Sequence, residues 1–63
     1  MTDKSIEVPI IGGTATIAHS TIRGYVKDGE YGVNVTVKLE GDKVPKVISL
    51  ITTYEKFDAW YKQ

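Results

Sequence analysis

Apolar and polar residues alternate along most of the chain, and glycine interrupts the alternation at three places. A period of two marks a half-buried strand, and glycine between two such runs marks a hairpin. In "SIEVPIIGGTATIAH" a Gly12-Gly13 turn sets Ile11 opposite Thr14, Ile10 opposite Ala15 and Val8 opposite Ile17. Ile6, Val8, Ile10, Ala15 and Ile17 then share one face, and Glu7, Pro9, Thr14 and Thr16 the other. Pro9 cannot donate to a ladder, so the first strand should be an edge. In "TIRGYVKDGEYGVNVTVKLE" the Asp28-Gly29 pair predicts a two-residue turn. That turn pairs Lys27 with Glu30, Val26 with Tyr31 and Tyr25 with Gly32. Ile22, Val26, Tyr31, Val33, Val35, Val37 and Leu39 would form the core face. Thr21, Arg23, Tyr25, Lys27, Asn34, Thr36 and Lys38 would form the outer one.

A third turn, at Gly41-Asp42, brings Ile48 near Val35 and Leu50 near Val33. It also aims Lys46 inward, a flaw that a bulge near Pro45 would correct. Core positions are odd-numbered just before "AHST" (Ala15, Ile17) and even-numbered just after it (Ile22, Val26). Such a parity switch requires a bulge, a bend or a tight turn between the second and third strands. An open meander and a small SH3-like barrel both satisfy it.

The period changes to that of a helix at the C-terminal end. In "TTYEKFDAWYKQ" Tyr54, Phe57, Trp60 and Tyr61 fall on one arc of a helical wheel, with Glu55, Lys56, Asp58 and Lys62 outside it. Thr52 with Glu55 reads as a capping box, and Asp58 with Lys62 as a favourable pair four residues apart. A helix of about ten residues is marginal alone in water, so most of its aromatic face must be buried. Phe57 and Tyr61 sit centrally and read as core. Tyr54 and Trp60 lie at the edges of the arc.

The expected fold is therefore α+β: an antiparallel β-meander of four to five strands covered by one C-terminal helix. A single domain over 1–63 contains a hairpin at about 5–19, a three-stranded meander at about 21–51 and a helix at about 53–62. This order is similar in outline to that of small archaeal chromatin proteins and chromodomains. The chain carries no sequence motif of either family, and its charge balance argues against the first.

Composition narrows the chemistry. The 63 residues include no Cys and one His, which excludes disulfides, thiolate sites and multi-histidine metal sites within one chain. Eight basic and eight acidic residues balance, and a phosphate-backbone binder usually shows a basic excess. The start lacks a signal-peptide apolar run and no stretch approaches a membrane span, so the chain reads as soluble and cytoplasmic.

His19-Ser20-Thr21 sets a base beside hydroxyls but without a third group to orient it, so a strand-end turn is the better account. Gly12-Gly13-Thr14 has neither the spacing nor the context of a phosphate loop. Asn34-Val35-Thr36 matches a glycosylation sequon by chance in a chain without a secretion signal. No enzyme activity, cofactor or metal site is expected. The leading expectation is a non-enzymatic protein-interaction module, a homo-oligomer or an accessory subunit. Its contacts would come through Trp60, Tyr54 and an edge strand. The alternative is a nucleic-acid-binding surface on the outer face of the 21–38 hairpin, using Arg23, Tyr25, Lys27 and Lys38, with Tyr25 as a stacking ring.

Overall fold

Five short strands and one helix follow from these patterns. The structure is a computed structural model that describes residues 4–63, so the first three residues of the expected domain lie outside it. The elements are β1 (Ser5–Ile10), β2 (Gly13–Ala18), β3 (Ile22–Lys27), β4 (Val33–Val37), β5 (Lys46–Leu50) and α1 (Tyr54–Tyr61), with a single 3-10 turn at His19–Thr21. The protein is α+β. Its strands divide into two antiparallel sheets, β1-β2 and β3-β4-β5. Among the described residues, no helix is long and apolar enough to cross a membrane.

The β1-β2 turn lies one residue earlier than the glycine pair suggests. Ile10 pairs with Gly13, Val8 with Ala15 and Ile6 with Ile17. Ile11 occupies the turn and is 91% exposed. Of the two turn residues, Ile11 and Gly12, Gly12 alone has positive φ, as in a type II turn rather than a primed one. The register moves by two residues, so every side chain keeps its expected face. Val8 and Ile17 are buried. Pro9 lies in β1, and its carbonyl accepts a bond from the Ile51 amide at 2.8 Å, which ties the hairpin to the end of β5.

The β3-β4 connection departs further. The loop runs from Asp28 to Gly32, where the Asp28 amide donates to the Gly32 carbonyl at 2.9 Å. A Cβ at position 32 would overlap the Asp28 carbonyl oxygen, so only glycine closes this loop. Lys27 now pairs with Val33, Val26 with Asn34 and Tyr25 with Val35. The shift relative to a two-residue turn is an odd number of residues, which exchanges the faces of β3. Tyr25 turns inward. Val26 and Tyr31, expected in the core, are 61% and 72% exposed. A bulge between Ile22 and Gly24 then restores the phase, so Ile22 opposes Val37 and is also buried.

The β4-β5 pair keeps the expected register, with Val35 opposite Ile48 and Val33 opposite Leu50. Lys46 opposes Val37 on the core-facing side, and no bulge intervenes. It is tolerated because it starts the strand and stands exposed at the rim. Leu39, expected in the core, lies in the connecting loop and is half-exposed.

The helix cap is Thr53 rather than Thr52. The Thr53 hydroxyl accepts from the Lys56 amide at 3.2 Å. Glu55 falls in the first turn, where the helix dipole favours it, but does not close a capping box. Thr53→Ala is expected to cost about 1 kcal/mol, while Thr52→Ala stays within about 0.5 kcal/mol. Urea midpoints of the two variants check this. The core beneath the helix is Val8, Ile17, Ile22, Val33, Val35, Val37, Leu50 and Phe57.

Candidate interaction surfaces

The aromatic face of α1 is turned onto the sheets. Phe57 is 1% exposed. Tyr54, Trp60 and Tyr61 are partly buried and pack against the core. The centre of the cluster is Tyr25, whose ring meets Phe57 edge-on at 5.0 Å, Tyr61 edge-on at 5.2 Å and Tyr54 tilted at 5.5 Å. Such offset and edge geometries suit the ring quadrupoles. The Tyr25 hydroxyl donates to Asp58 Oδ1 at 2.5 Å, and Lys62 Nζ reaches Asp58 Oδ2 at 3.2 Å.

This bond moves both groups. The Asp58 carboxylate raises the Tyr25 phenol from 10.0 to about 12, with burial adding to the effect. The Tyr25 hydroxyl, helped by Lys62 and opposed by partial burial, lowers the Asp58 carboxyl. A raised phenol stabilises the fold fully below pH 10 and loses that contribution as pH rises through about 12. A lowered carboxyl stabilises it above the ordinary carboxylate range and loses that contribution as pH falls through its lowered value. Tyr25→Phe is therefore expected to flatten both limbs of the stability–pH curve. The ultraviolet titration difference between wild type and variant should be one tyrosine ionising near pH 12. A difference centred at pH 10 would contradict the bond.

The far end of the helix is held by two hairpin side chains. Lys4 Nζ donates to the carbonyls of Trp60, at 2.9 Å, and Gln63, at 3.1 Å. It also stands 5.3 Å from the centre of the indole. His19 Nε2 lies 3.0 Å from the Tyr61 carbonyl, and a carbonyl only accepts, so that nitrogen carries a proton. The His19 ring stacks on Tyr61 at 4.5 Å and meets Trp60 edge-on at 5.7 Å. A cation and imidazole donor at the negative end of the helix dipole are favourable. These contacts span more than forty residues of chain, so no local pattern announces them. Trp60 and Tyr54 thus take part in the aromatic cluster while remaining partly exposed.

The outer face of β3-β4-β5 differs from the one expected. Tyr25 and Lys27 lie in the inward-facing rows, with Lys27 exposed at the rim. Arg23 sits in the bulge and donates through Nη1 to the Ser20 carbonyl at 3.0 Å. Lys38 lies just past β4, where its amide bonds the Thr21 carbonyl. The four residues do not form one basic platform, and the stacking ring is inside. The outer rows read Gly24–Thr36–Val47 and Val26–Asn34–Ser49. None of the six is charged. Ser49 Oγ donates to Asn34 Oδ1 at 2.9 Å. Val26 and Val47 are 61% and 65% exposed. Among the described residues, no three His, Cys, Asp or Glu side chains gather as a metal site would require. No family model matches the chain, and no curated protein or solved structure matches it either.

Proposed function

We propose that the protein is a small non-enzymatic protein-interaction module, self-associating or serving as an accessory subunit, whose contact surface is the outer face of β3-β4-β5. The observation that carries this reading is the uncharged face on which Val26 and Val47 stand open to solvent. Charge depletion with exposed apolar side chains is the composition of an interface centre. Trp60 and Tyr54 pack partly buried against the core, which favours the outer face of the sheet over the helix as the contact. His19, the single candidate base, is engaged by the Tyr61 carbonyl. At the level of architecture, the tight 3-10 passage and the Pro9–Ile51 link support reading the two sheets as an SH3-like barrel.

Amide spectra recorded from micromolar to millimolar protein test the proposal. Concentration-dependent shifts are expected at Val26, Asn34, Thr36, Val47 and Ser49, and Val47→Lys should abolish them without unfolding the chain. Dilution shifts confined to Tyr54 and Trp60 would return the contact to the helix. Salt-sensitive shifts at Arg23, Lys27 and Lys38 on adding short DNA or RNA would favour a nucleic-acid surface instead.

A further inference from the structure

Among the described residues, nothing covers one edge of the small sheet. β2, "GTATIA", pairs with β1 on one side only. Among the described residues, no backbone bond joins β2 to another element. Edge strands are commonly blunted by charged side chains, proline or bulges. β2 has none of these: it contains no Lys, Asp, Glu or Pro, and its ladder with β1 is regular throughout.

Beside this edge runs a groove of about 330 Å³, lined by Thr16, Ile17 and Ala18 of β2, by Val37 and Leu39, and by Lys46 and Ile48 of β5. Its volume lies at the small end of the range for ligand sites. Its floor is apolar, and among the described residues Lys46 is its single charge and no carboxylate lines it. Lys46 makes no ion pair among the described residues, where Asp58–Lys62 is the pair that forms. This lysine is also the side chain whose inward phase the sequence pattern marks as a misfit. Exposed at the rim of an apolar groove and without a carboxylate beside it, Lys46 leaves its positive charge available to an anion from outside.

We propose that this groove receives an extended peptide segment of another protein. The segment adds as a third strand to the free edge of β2, seats an apolar side chain against Val37 and Ile48, and presents an Asp or Glu carboxylate to Lys46. Main-chain bonds supply affinity and alternate side chains supply specificity in this mode. Alternate residues of a strand share a face, so the recognised pattern is an apolar residue with an acidic one two positions away. A second copy of this chain fits less well, because a β2-to-β2 pairing brings no carboxylate. The inference rests on the reading of the protein as an interaction module but uses a surface separate from the outer face.

The test is an amide titration of the intact chain with a capped heptapeptide. The peptide carries Ile at its centre and Glu two residues on, among Thr and Ser. Expected are saturable shifts and slowed exchange at residues 14–18 and 46–48, with contacts from the peptide backbone to Thr14 and Thr16. Lys46→Gln, at an exposed position that leaves the rest of the spectrum unchanged, should weaken binding about two- to fivefold. A Gln-for-Glu peptide should do the same to the wild type and have no further effect on Lys46→Gln. Absence of shifts at β2, or equal binding by Lys46→Gln, overturns the proposal. So does an identical response to octanoate, which would make the groove a small-carboxylate site. Dilution shifts at β2 without peptide would make it a self-association edge and overturn it equally. Val47→Lys separates the two readings: it should leave peptide binding intact while abolishing outer-face association.

Discussion

Phe57→Ala is expected to cost about 3–5 kcal/mol and to leave the fold at the edge of unfolding. Phe57 is the largest fully buried side chain, and it belongs to one cluster with Val33, Val35 and Leu50. Its ring is also packed edge-on by Tyr25 and against Trp60. Truncation removes apolar contact and leaves a cavity that a strand framework cannot collapse to fill. A 63-residue chain at roughly 0.05–0.15 kcal/mol per residue is stable by only about 3–9 kcal/mol. The variant should show a broad, low urea transition and weakened near-ultraviolet dichroism from the aromatic cluster. A midpoint within error of the wild type would mean that the helix is not the lid of the core. Loss of exchange protection in α1 alone, with β3, β4 and β5 intact, would mean that the helix folds as a separate unit.

Gly32→Ala is expected to destabilise by about 1–3 kcal/mol, as forced overpacking does. The atom in the way is the Asp28 carbonyl oxygen, part of the backbone and unable to swing aside. The same loop sets the register that turns Tyr25 toward α1. Gly32→Ala should therefore weaken the Tyr25–Asp58 bond as well, and the phenol that titrates near pH 12 should fall toward 10. Gly24→Ala is the control, because a Cβ there meets nothing within 4 Å. If the two alanine variants unfold at the same urea concentration, the tight backbone approach at Gly32 is not a constraint.

The β3-β4 loop shows how much of the candidate surface was legible in the sequence. Asp28-Gly29 has the chemistry of a two-residue turn, and Lys27 with Glu30 supports it locally. The longer loop wins because it places Tyr25 among Tyr54, Phe57 and Tyr61 instead of Val26. A tyrosine buries more area than a valine, and its hydroxyl finds Asp58. That gain comes from residues about thirty positions away, which no turn rule weighs. The exchange of faces then converts the expected basic platform into an uncharged one carrying Val26 and Val47. The phase of Lys46, by contrast, was readable, since it follows from alternation, whereas Pro9 marked only β1 as an edge and the free edge of β2 follows from the division into two sheets.

By itself the sequence determined the kind of elements, antiparallel strands followed by one C-terminal helix, the pairing of β4 with β5, and the inward face of the helix. Each depends on a local period or on one short turn. Only the tertiary structure decided the β3-β4 register, the cap at Thr53, and the holding of the helix end by Lys4 and His19. It also decided which face of the sheet meets solvent. These depend on which distant groups can be buried or hydrogen-bonded together, and that energy is absent until the chain has closed on itself.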